Sequence, residues 1–111
     1  MEPISKLLAS AFYNKSPRKI GNHEVRVSET TTTLILFSNI VIAEWENGKS
    51  YILITDGGWF SDVAKELLDA LLLRTKSRIE IQKKVWHLRD ISTGTFTKMQ
   101  LNGWYKININ H

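Results

Sequence analysis

Apolar residues in the N-terminal segment recur at helical spacing. Ile4, Leu7, Leu8, Ala11 and Phe12 share one face, so the spacing predicts a helix over residues 3–14. Pro3 suits its first turn, Glu2 complements its N-terminus, and Pro17 stops it. Residues 15–22 read as a basic loop. The period then changes to two. Val25 and Val27 alternate with Glu24 and Arg26, which predicts a strand over 23–28. The β-branched, apolar run 31–37 predicts a central strand, and 40–45 another. Asn47-Gly48 predicts a type I′ turn into a returning strand over 50–55, which Asp56-Gly57-Gly58 breaks. Helical spacing returns in Val63, Leu67, Leu68, Leu71 and Leu72, predicting a helix over 61–74. Ser61 is its expected N-cap, with Asp62 in the first turn. Ile79 and Ile81, then Trp86 and Leu88, alternate on either side of Lys83-Lys84, as in a hairpin. A further strand over 95–101 is expected, then a turn at Asn102-Gly103. The fold class is therefore α+β: one antiparallel sheet of five or six strands packed with two helices, in the order α-β-β-β-β-α-β-β.

Length bounds this picture to a single domain over 1–111. A chain of 12.8 kDa buries about two-thirds of its unfolded surface, enough for one core without staples. At 42% hydrophobic and 23% charged it is neither disordered nor collagen-like. It has no cysteine, which excludes disulfides, thiolate zinc sites and a cysteine nucleophile. No apolar run is long enough to span a membrane, and Met1–Tyr13 does not read as a signal peptide. A soluble protein acting in the cytoplasm, with no membrane partner, is the expectation.

The net charge of +4 favours anionic partners, among them nucleic acid, nucleotides or an acidic protein surface. His23, His87 and His111 have no carboxylate at ligand spacing, so no metal is expected, and no cofactor. His87, between Trp86 and Leu88, reads as a surface or satisfied core histidine. No nucleophile elbow, phosphate loop or dinucleotide fingerprint is present, so catalysis is not expected. Glu44 and Glu46 share a strand face, as solvated pairs commonly do. The turn at 56–58 could bring backbone amides to an anion, which Asp56 would repel. Trp45, Trp59, Trp86 and Trp104 either stack a base or fill the core, with Trp59 the first choice for burial. Arg78, Lys83, Lys84 and Arg89 form the densest basic stretch.

The stretch from Gly21 to Asp90 resembles a pattern found in many small tailed-bacteriophage proteins of undefined function. Gly21-Asn22 leads into the first strand, and residues 33–39 stand where the second begins. Ile42-Ala43 resembles an Ile-Ala step of that pattern, and Gly58-Trp59 its Gly-Trp. Ser61 resembles a threonine at a helix start, and Leu68-Asp69-Ala70-Leu71 a Leu-Asn-x-Leu. Residues 81–84 and 85–88 resemble the closing hairpin. Val63 and Ala64 replace a Thr-Thr pair, and Leu67 replaces an arginine. The resemblance implies a phage origin and an α+β fold, and supplies no activity.

By class, small basic phage proteins act mostly by binding. The leading expectation is a non-catalytic counter-defence inhibitor in the host cytoplasm. It would bind a host protein effector, such as a CRISPR or nuclease complex, or sequester a nucleotide immune signal, as a homo-oligomer joined through strand edges. The alternatives are a nucleic-acid-binding accessory protein and a virion assembly component. The nucleic-acid footprint would be Arg18, Lys19, Arg26, Lys83, Lys84 and Arg89 on one face. The ligand site is expected at Trp45, Lys84, Trp86 and Arg89, with alanine at Trp86 and Arg89 abolishing binding without unfolding.

Overall fold

A computed structural model describes residues 3–58 and 60–109. The first helix, α1 (Ile4–Tyr13), is followed by β1 (Arg18–Ile20), β2 (His23–Val27), β3 (Thr31–Leu36), β4 (Ile40–Glu46) and β5 (Tyr51–Ile54). Then come α2 (Asp62–Leu72), β6 (Ser77–Gln82), β7 (Val85–Asp90), β8 (Phe96–Lys98) and β9 (Tyr105–Asn108). The α+β class holds, but the strands form two antiparallel sheets rather than one. The larger has the order β1-β2-β3-β4-β5-β9, and the smaller β6-β7-β8. Two strands depart from expectation. The basic loop contains β1, too short and too polar to show a period. The tail supplies β9, which lies beside β5 with Ile52 opposite Ile107.

Alternation sends Val25, Leu34, Ile52, Ile54 and Ile107 to the inner face of the larger sheet, where all are buried. A bulge adds to this. Leu34 pairs with Ala43 and Ile35 with Val41, leaving Ile42 as the extra residue. Both Ile42 and Ala43 are thereby fully buried. The helices pack on each other and over this face, with Leu8, Phe12, Leu68 and Leu71 in the same core. Ser61 caps α2 by accepting from the Ala64 amide at 3.1 Å. Val63, expected in the apolar face, is exposed, and Ala64 is buried in its place. At the other end of α2 the Arg78 guanidinium donates to the carbonyls of Leu72 (2.6 Å) and Thr75 (2.8 Å). The cation thus meets the negative end of the helix and ties β6 to it.

Asn47-Gly48 does not form the expected type I′ turn. Gly48 has φ +86°, whereas Asn47 is not left-handed. Asn47 instead donates from its side chain to the Glu29 carbonyl at 2.8 Å, bracing the β2–β3 turn. Turns with positive φ at both central positions are instead at Phe37-Ser38 (51° and 70°) and at Lys83-Lys84 (51° and 64°). No helix among the described residues is long and apolar enough to cross a membrane.

Tyr13 joins the helices. Its hydroxyl donates to the Leu71 carbonyl at 2.6 Å, and burial pushes its pKa from 10.0 up to about 12, against the opposing Arg74 cation. The unfolded chain therefore ionises this tyrosine first as pH rises. Its contribution is intact below pH 10 and is lost as pH climbs through the folded value near 12. Tyr13→Phe is expected to cost about 1 kcal/mol at neutral pH and to flatten the alkaline fall. Urea midpoints of both proteins across that window check this, and parallel curves would contradict it.

Candidate nucleic-acid interface

Strand register decides which side chains meet on the smaller sheet. Glu80 stands opposite His87 and Arg78 opposite Arg89. On the other side of β7, His87 faces Lys98 and Arg89 faces Phe96. Cross-strand partners share a face, so Arg78, Glu80, His87, Arg89, Phe96 and Lys98 all lie on one side. Ile79, Trp86, Leu88 and Met99 lie on the other, toward the core.

The outer side combines cations with an aromatic platform. The rings of His87 and Phe96 stack at 4.5 Å with an interplanar angle of 15°. His87 Nδ1 lies 3.1 Å from the Val85 carbonyl, which can only accept, so this nitrogen carries a proton in that contact. Phe96 is 40% exposed. Arg89 reaches back to Glu80 at 2.6 Å, with nearly half of its side chain in water. Lys83 and Lys84 crown the hairpin, and Lys98 flanks the stacked rings; all three are exposed, and none is among the ion pairs of the described residues. Glu80 is the carboxylate on this side. The outer face of the larger sheet mixes both signs, with Glu24, Glu44 and Glu46 beside Lys19, Arg26 and Lys106.

The four residues singled out from the sequence do not lie together. Trp45 is on β4, 7% exposed, facing α1. Its ring lies beside Phe12 (6.2 Å) and Tyr13 (6.1 Å), with Lys15 Nζ 4.4 Å from its centroid. Its Nε1 donates to the Lys49 carbonyl at 3.0 Å. Trp86 is 4% exposed and packs against Phe60 at 5.0 Å. Of the two roles open to these tryptophans, both fill the core. Lys84 is in the turn and Arg89 on the outer face. Trp86 and Arg89 are three positions apart, so a period of two turns them to opposite sides of one strand. That same period joins His87 to Arg89, the part of the outer face that spacing within one strand could have shown.

The six-residue basic footprint is likewise divided. Lys83, Lys84 and Arg89 belong to the smaller sheet, whereas Arg18, Lys19 and Arg26 belong to the larger. Arg18 pairs with Val25 and Lys19 with Glu24, so even these neighbours face opposite ways. Arg26 is 3.1 Å from Glu24.

The turn after β5 is tied to the turn before β9. Asp56 is buried, and its Oδ1 accepts from the Asn102 amide at 2.9 Å and the Thr55 hydroxyl at 3.1 Å. This staples β5 to the turn before β9. Trp59 and His111 lie outside the described residues, and with Trp59 the expectation of its burial. Trp104 is 47% exposed. Among the described residues no group of three His, Asp or Glu side chains could hold a metal ion. Asp90 has its carboxyl held below the usual range, first by the Ser92 hydroxyl and then by backbone amides and Lys76. That is the chemistry of a closed turn, since Asp90 Oδ1 accepts from the amides of Ser92 and Thr93.

The sequence pattern of the Kyanoviridae Gp96 protein family matches residues 1–106. No curated protein and no solved structure matches the chain.

Proposed function

The chain belongs to the Kyanoviridae Gp96 protein family, a tailed-phage family, and from that premise we propose a non-catalytic binding protein that holds single-stranded nucleic acid on its smaller sheet. The observation that carries this reading is the stack of half-buried His87 on exposed Phe96, with Lys98 and Arg89 as their cross-strand partners and Lys83 and Lys84 in the turn of the same hairpin. Bases stack on aromatic faces regardless of sequence, and lysines on the same surface take the phosphates. An open sheet face suits a strand with splayed bases better than a duplex, whose bases are already stacked. Such a protein would work in the host cytoplasm, where phage nucleic acid is expressed and copied.

The counter-defence reading uses the same surface. A nucleotide signal has a base and phosphates, and a small protein that captures it blocks the response it triggers. Tight sequestration of a small ligand calls for a concave site that encloses it. The exposure of Phe96 and Lys98 therefore favours the strand over the signal.

Fluorescence anisotropy with a labelled oligothymidylate at low salt tests the proposal. Phe96→Ala is expected to weaken binding about 5- to 100-fold. Lys83→Gln and Lys84→Gln should each lower the log–log salt slope by about one. Native mass spectrometry of the freshly purified protein tests the nucleotide alternative, which requires an adduct of nucleotide mass. Absence of oligothymidylate binding, or equal binding by the wild type and Phe96→Ala, would sink the strand reading.

A further inference from the structure

A sheet ends in strands whose outward backbone groups have no ladder partner, and proteins usually guard them. The larger sheet ends at β1, guarded by Pro17, Arg18 and Lys19. It also ends at β9, which borders a cleft of about 310 Å³ closed on its far side by Ser77, Asp90 and Thr97. On the smaller sheet, β6 packs beside α2 and is held there by Arg78. β8 has no such cover. Every residue from 91 to 98 is exposed.

Two hydrogen bonds fix which groups of β8 point outward. The Met99 amide donates to the Trp86 carbonyl, and the Asp90 amide to the Thr95 carbonyl, both at 2.9 Å. Bonded and non-bonded pairs alternate along an antiparallel ladder. Leu88–Thr97 is then the bonded pair between these two. Phe96 and Lys98 consequently turn both N–H and C=O to the open edge.

We propose that β8 pairs with β8 of a second copy of this chain, antiparallel and centred on Thr97. The segment Phe96-Thr97-Lys98 is self-complementary in that register. Phe96 stands opposite Lys98 of the partner subunit, and Lys98 opposite Phe96 of the partner subunit. Each pair exchanges two backbone hydrogen bonds and sets an ammonium beside an aromatic ring. Thr97 meets its own mate at the non-bonded position, where side chains approach most closely. Centring on Lys98 instead would oppose two like charges. The two small sheets become one, and their outer faces run together with a His87–Phe96 stack on each half. The pairing does not depend on what that face binds. If it binds a nucleic-acid strand, the dimer doubles the length of strand covered.

The test is the mass of the full chain in solution, without nucleic acid, with three variants. Sedimentation equilibrium at tens of micromolar is expected to give twice the 12.8 kDa of the monomer. Because the chain has no cysteine, Thr97→Cys creates a single thiol, and mild oxidation should link most of it as a dimer. Thr93→Cys, exposed but out of register, should form little disulfide-linked dimer under the same oxidation. Lys98→Pro removes an outward N–H and no β7 ladder donor, so it should keep the circular dichroism of the wild type and fall to monomer mass. A monomeric wild type overturns the proposal. So does a dimer whose Thr97→Cys variant links no better than Thr93→Cys, whatever Lys98→Pro does.

Discussion

Trp86→Ala is expected to lower the free energy of unfolding by about 3–5 kcal/mol, a large part of the stability of a domain this size. The ring is 4% exposed, stands opposite Ile81 in the β6–β7 ladder and packs against Phe60. Its strand neighbours toward the core are Leu88 and, across the sheet, Ile79 and Met99. Truncation leaves a cavity beneath a sheet of only three strands, which has few other contacts with which to collapse around it. The urea midpoint followed by circular dichroism reads the loss directly. Phe96→Ala, on the opposite side of the same sheet, should shift that midpoint by no more than about 1 kcal/mol, the scale of a surface change. Together they separate folding from binding: any binding lost by Trp86→Ala follows from unfolding, and any lost by Phe96→Ala does not. An unchanged midpoint for Trp86→Ala would mean that the ring is not core and would reopen its assignment to a ligand site.

The second large effect is expected at Gly57. Its φ is +81°, and a Cβ there would lie 2.8 Å from Ile40 Cγ2 and 2.9 Å from Ile42 Cγ2. Ile42 cannot yield easily, since it is fully buried at the bulge in β4. Gly57→Ala therefore combines left-handed strain with overpacking, about 2–5 kcal/mol in sum. Gly48→Ala is the control. It has a similar φ of +86° but meets nothing within 4 Å, so only the backbone contribution of about 1–2 kcal/mol applies. Thermal midpoints of the two variants should differ by several degrees, with Gly57→Ala the lower. Equal losses would show that β4 gives way to the added methyl.

Local patterning carried most of the elements. Both helices, the Ser61 cap and the alternation through Val25, Ile79 and Leu88 lie where spacing predicts them. It could not reveal which strands pair. β9 finds β5 across some fifty residues, and no local period says whether β6 joins the larger sheet or leaves it. Nor does composition separate a buried indole from a stacking one, and Trp45 and Trp86 both fell on the buried side. The platform was half legible. Lys84 and Arg89 were visible as charge, whereas Phe96 acquires its meaning only when β8 lies beside β7 and brings the ring onto His87.

The Lys83-Lys84 turn leaves the hairpin short of its best sequence. Asparagine and glycine are the residues that such a turn favours, and the chain spends that pair at 47–48, where only the glycine is left-handed. Two lysines held at positive φ each carry strain on the order of 1 kcal/mol. The most direct route to a hardier protein, Asn-Gly at 83–84, would also strip two positive charges from the crown of the basic face. Thermal stability and positive charge compete for the same two residues, so a variant selected for heat resistance alone would drift toward a neutral hairpin.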